Sequence, residues 1–211
     1  NGKKDEFIKR WKQLEEISDK IFSSVSGSSM DELFTRYMYY ERAKMNNKNT
    51  TTEALRKFYE KDGYSLLKKD ETLNNLEILA NFWIHVAEQN DSIFSEKVLK
   101  KLAILNYAPN GMWAYLTSVY FMQNKDDSGS LDNVAFNDFL DKIIAFIWTY
   151  AIMRPGVNAL RTPVYPEMIN VVNNKRVTFD DYKFDEDSVR LALESYQFTN
   201  GRPITKSMLA W

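Results

Sequence analysis

The stretch Ile143-Ile144-Ala145-Phe146-Ile147-Trp148-Thr149-Tyr150-Ala151-Ile152-Met153 is the most apolar run of the chain. A membrane span needs about 20 consecutive apolar residues, and this run supplies about half of that. What remains is a helix that is apolar around most of its circumference, which only a protein interior can hold. Extended back to Asn133, the segment predicts a buried helix from about 133 to 153, stopped by Pro155-Gly156. With 211 residues, 44% of them hydrophobic, the chain can build such an interior as one domain.

Working outward, helical spacing recurs on both sides. Phe7, Trp11, Leu14, Ile17, Ile21, Phe22 and Val25 step by three and four over residues 5 to 25. Ser29 and Glu32 have capping-box spacing and predict a second helix, from about Met30 to Met45, followed by the polar loop Asn46 to Thr50. A short helix carries Leu55, Phe58 and Tyr59, and Gly63 suits a left-handed stop. Asp70 is positioned to cap a helix through Leu73, Leu76, Leu79, Ala80, Trp83, Val86 and Ala87. Ser95 precedes another with Val98, Leu99, Leu102, Ala103 and Leu105, and Pro109 can open the next, with Trp113, Leu116, Tyr120 and Phe121. Lys125 to Ser130 is the most linker-like stretch, so a subdivision would fall near 125–131.

Residues 154–211 have a different texture, with Pro155, Pro163, Pro166 and Pro203 between short segments. Short helices are expected over Val164 to Asn173, over Asp185 to Gln197 (with Val189, Leu191, Leu193 and Tyr196), and from Ile204 onward. Arg176-Val177-Thr178-Phe179 is the one β-flavoured tetrad, and there is no hairpin signal. The reading is an all-α, irregular multi-helix bundle of eight to ten helices, residues 1–211 forming a single helical domain.

Charge and composition exclude much chemistry. Lys and Arg number 28 against 29 Asp and Glu, a net charge of −1, so no global field attracts nucleic acid or an acidic surface. The absence of cysteine removes thiolate metal sites, thiol nucleophiles and disulfides, and makes a reducing, cytoplasmic setting the expectation. The single histidine, His85 in Phe82-Trp83-Ile84-His85-Val86-Ala87, rules out paired-histidine zinc and catalytic sites and reads as a partly buried structural residue. There is no Gly-x-Ser-x-Gly elbow, phosphate loop or dinucleotide fingerprint.

The remaining candidates are charged clusters. Asn124-x-Asp126-x-Ser128-Gly129 begins like a calcium loop, but Ala135 stands where a bidentate Glu is needed. The five carboxylates of Asp180-Asp181-Tyr182-Lys183-Phe184-Asp185-Glu186-Asp187 lack loop spacing; acids before a helix fit its positive end, and a carboxylate-metal hydrolase is the weaker reading. Aromatics and cations interleave over Phe34 to Lys44, where helical spacing puts Leu33, Phe34, Tyr37 and Met38 inward and Arg36, Tyr40 and Lys44 toward solvent. Residues 154–176 hold Arg154, Arg161, Lys175 and Arg176 against Glu167 alone, the best local surface for an anionic partner.

The opening Gly2-Lys3-Lys4-Asp5-Glu6-Phe7-Ile8-Lys9-Arg10-Trp11-Lys12-Gln13-Leu14-Glu15-Glu16 resembles the junction after the N-terminal domain of GmrSD-type restriction endonucleases. Tyr150-Ala151-Ile152-Met153-Arg154, Tyr196-Gln197-Phe198 and Arg202-x-Ile204-x-Lys206-x-Met208-Leu209 resemble the helical stretch leading to that family's C-terminal HNH-type nuclease. The resemblance implies the helical middle region of such a protein, between a ParB-like nucleotide-hydrolysing domain and the nuclease. The chain has neither the Asp-Gly-Gln-Gln-Arg motif of the first nor a histidine beyond residue 85 for the second. The expectation is a non-catalytic connector with no cofactor and no metal, whose partners are flanking domains. The rival is a DNA-binding module using Arg154, Arg161, Lys175, Arg176, Arg202 and Lys206.

Overall fold

The computed structural model describes residues 2–22, 27–51, 53–108, 110–153, 160–197 and 208–209. Nine α-helices lie among these residues: α1 (Gly2–Phe22), α2 (Ser29–Lys44), α3 (Leu55–Tyr64), α4 (Asp70–Ala87), α5 (Glu96–Leu105), α6 (Met112–Asn124), α7 (Asn133–Met153), α8 (Arg161–Val172) and α9 (Glu186–Ser195). A 3-10 turn at Asp180–Tyr182 precedes α9, and no strand occurs among the described residues. The bundle is all-α, as the periodicity predicts. None of these helices is long and apolar enough to cross a membrane.

The deciding run is the inner half of α7, where Ile143, Ile144, Phe146, Ile147, Trp148, Tyr150 and Ile152 are all buried. α6 goes further than its spacing predicts, burying Met112, Trp113, Ala114, Leu116, Thr117, Ser118, Val119, Phe121 and Met122. It can do so because α2, α4 and α8 all pack against it. One hydrophobic cluster joins Leu14 of α1 to Phe179 beyond α8. Aromatic rings tie distant parts together, Phe82 stacking on Phe121 at 4.1 Å and Tyr120 on Phe139 at 3.8 Å. The second stack spans the linker-like stretch, which folds as a tight turn: the Asp126 carboxylate accepts from the backbone of Ser128 and Ser130 and from the Ser128 hydroxyl. These bonds all fall on Asp126 Oδ1 and hold the carboxyl below its ordinary pKa.

Local signals are met unevenly. Ser95 and Asp185 cap α5 and α9 by accepting from Val98 and Ser188 backbone N–H groups. Gly63 adopts φ +62°, joined by Asp62 at φ +49°, so regular helix in α3 ends before them. The proposed box at Ser29 does not form. Ser28 is the N-cap and makes no side-chain cap bond, the Ser29 hydroxyl turns to Asp19, and Glu32 pairs with Arg36. Asp70 likewise lies inside α4, beyond Lys69, and contributes charge to the first turn instead of a cap. α8 begins earlier than expected and carries Pro166 within it. The readings at Val25, Pro109, Pro155-Gly156, Ile204 and Trp211 lie outside the described residues.

Candidate functional site

α2 departs most from its sequence pattern. Its Arg36 is expected in solvent, yet α1, α3, α4, α6 and α8 all pack against this helix, and of Arg36, Tyr40 and Lys44 only Lys44 is exposed. Arg36 is 8% exposed, its guanidinium carbon 4.0 Å from the Trp83 ring centroid and 4.6 Å from that of Phe22. Glu32 accepts from its Nε at 2.9 Å, and Tyr115 donates its hydroxyl to the same carboxylate. Burial pulls the Arg36 pKa below its ordinary value, opposed by Glu32.

Arg42, near the end of α2, is buried further, at 2% exposure. The asparagine-rich loop after α2 shapes its surroundings. Asn46 takes a left-handed φ of +50°, and the Asn46 and Asn47 N–H groups return to the carbonyls of Ala43 and Arg42. Asn47 and Asn49 then accept from the N–H two residues on, so the chain curls until the Asn49 carbonyl receives Arg42 Nη2 at 2.8 Å. Arg42 Nε and Nη1 meet no acceptor.

α8 supplies the other wall. The Tyr165 ring lies 5.2 Å from the Arg42 guanidinium carbon, and Tyr39 of α2 meets Tyr165 edge-on at 5.5 Å. Arg161, the first residue of α8, is half-buried, and its Nε also lacks an acceptor, as does the Tyr165 hydroxyl. Burial pushes the Tyr165 hydroxyl up to about 12, while Arg42 and Arg161 both pull against that rise. The same two cations act on Tyr39, whose pKa burial also raises. All four side chains therefore share one locality. The carboxylates whose fields reach it, Glu53 and Glu32, are engaged by Lys61 at 2.6 Å and Arg36 at 2.9 Å. What converges here is a set of donors: two guanidinium groups and phenols that stay protonated far above neutral pH.

The residues predicted from the 154–176 charge excess do not form one surface. Arg161 turns inward at the start of α8, whereas Lys175 and Arg176 are exposed beyond its other end, about 18 Å along the axis. There they join Lys142 around a groove that also contains Asp138 and Asp141, the latter bonded to Lys101. Glu167, the lone acid of that stretch, is buried. Its oxygens accept the N–H groups of Thr178 at 3.1 Å and Phe179 at 2.8 Å. Phe179 is thereby held at φ +51°, its ring stacked on Phe146 at 3.8 Å. Arg154, Arg202 and Lys206 lie outside the described residues.

The other candidates resolve into structure. In the acidic run Asp180 bonds Lys183, Asp187 bonds Arg190 and Asp185 caps α9. No cluster of metal-ligating side chains occurs among the described residues. His85 is half-buried with Nδ1 3.2 Å from Asn90 Nδ2. Sequence reasoning named Arg161 from local charge and missed Arg42, Tyr39 and Tyr165; the interleaved aromatics and cations of 34–44 were the available signal. No protein-family model, curated protein or solved structure matches this chain.

Proposed function

We propose that this chain is a non-catalytic helical connector, the kind of domain that in GmrSD-type restriction proteins holds a nucleotide-hydrolysing domain and an HNH nuclease in a fixed relation. The observation that carries an interaction role is α9. This helix is amphipathic in sequence but has no buried residue, and it leaves Leu191 61% and Leu193 43% exposed. Large apolar side chains left exposed on an element whose neighbour in the fold is α7 suit a partner that covers them. The connector identity itself rests on the resemblance at residues 2–16, 150–154 and 196–209, and the cytoplasmic setting proposed with it rests on the absence of cysteine.

The reading is tested on the parent protein and on the chain. Coding sequence on either side should supply the Asp-Gly-Gln-Gln-Arg and HNH motifs, and the double variant Leu191→Ser/Leu193→Ser should impair restriction of incoming DNA while leaving the melting of the chain unchanged. Flanks with neither motif would overturn the connector reading. So would a salt-dependent DNA gel shift by the chain alone that Lys175→Glu/Arg176→Glu abolishes, because the function would then be DNA binding through that edge.

A further inference from the structure

We propose that Arg42, Arg161 and Tyr165 form a binding site for a small oxyanion, phosphate or a terminal phosphate monoester, at the junction of α2 and α8. The argument begins with the cost of leaving the site as it stands. A buried cation without a counter-charge is expensive, and each buried N–H or O–H without an acceptor adds to that cost. Four such donors occur here: Arg42 Nε and Nη1, Arg161 Nε and the Tyr165 hydroxyl. Unsatisfied groups gathered in one place mark where an ion or water belongs.

The chemistry selects the ion. Every free group is a donor, two of the three side chains are cationic, and the nearby carboxylates Glu53 and Glu32 already serve Lys61 and Arg36. The planar guanidinium fork matches two oxygens of a phosphate, and a second arginine with a phenol can take the others. Arg161 also opens α8, so the positive end of that helix adds to the field. Size narrows the choice, because Arg42 and Tyr165 are almost fully enclosed and leave only a tight approach to their free groups. A compact anion or the free end of a monoester fits that approach. A phosphodiester flanked on both sides by nucleotides does not.

This site is independent of the connector reading. It is tested on the whole chain by calorimetric titration with inorganic phosphate, and by melting at constant ionic strength as chloride is replaced by phosphate. One saturable site and a rising melting temperature are expected. Arg161→Gln should weaken binding about tenfold or more, and Tyr165→Phe, which keeps the ring on Arg42 and removes only the hydroxyl, about fivefold. Both should melt like the parent in chloride, so they carry the test even if Arg42→Met does not fold. A nucleoside monophosphate should compete with phosphate and a DNA oligonucleotide should not. The proposal is overturned by the absence of saturable binding, by binding that both variants retain in full, or by an oligonucleotide that displaces phosphate.

Discussion

Arg36 and Arg42 lie about 9 Å apart along α2. Both are buried, and their surroundings are opposite. Around Arg36 the fold supplies a carboxylate and aromatic faces, so the charge is answered from within. Around Arg42 it supplies one carbonyl, a tyrosine face and a second arginine. Burial alone therefore does not distinguish a framework cation from a receptor for something else. The presence of an internal counter-charge does.

Substituting the framework cation should have the largest effect. Arg36→Met removes one partner of a buried pair and strands Glu32, an expected loss of about 3–5 kcal/mol in denaturant unfolding. A loss under about 1 kcal/mol would mean that the pair is not what holds that end of α2. Next comes the α8 side of the molecule, where Glu167→Ala strips the acceptor from two backbone N–H groups and should cost about 1–3 kcal/mol. Least is expected of Arg42→Met in phosphate-free buffer. Replacing a cation that has one carbonyl partner with an apolar side chain of similar length should change stability by about 1 kcal/mol or less, in either direction. A cost equal to that of Arg36→Met would make Arg42 framework as well and erase the difference between the two ends.

The fold is legible wherever one helix face meets one core. The 143–153 run, the Ser95 and Asp185 caps and the Gly63 stop can be read because each depends on residues within a turn or two of itself. Arg36 was misplaced because periodicity assumes a solvated side, and α2 is enclosed by five helices, which no local pattern records. α9 errs in the other direction: Leu191 and Leu193 are large apolar residues of an expected helix, yet no element of the described chain covers them. For the candidate site, Arg161 stood out through its local charge excess. Its partners Tyr39 and Arg42 lie more than a hundred residues earlier in sequence, brought to it by the packing of α2 on α8. Ser29 and Asp70 show a smaller ambiguity, since a residue type that caps a helix also serves in its first turn.

The Glu167 clamp has a consequence for how fast parts of the molecule trade protons with solvent. Thr178 and Phe179 sit in a stretch without helix or strand, where amides ordinarily exchange quickly with deuterated water. Here both are bound to a buried carboxylate on α8, and the Phe179 ring is stacked on Phe146 of α7. These two protons are freed only when the stretch lifts away from both helices together. They form an isolated pair of slow amides amid fast neighbours, and their exchange rate times the separation of that segment from α7 and α8 without any label being introduced.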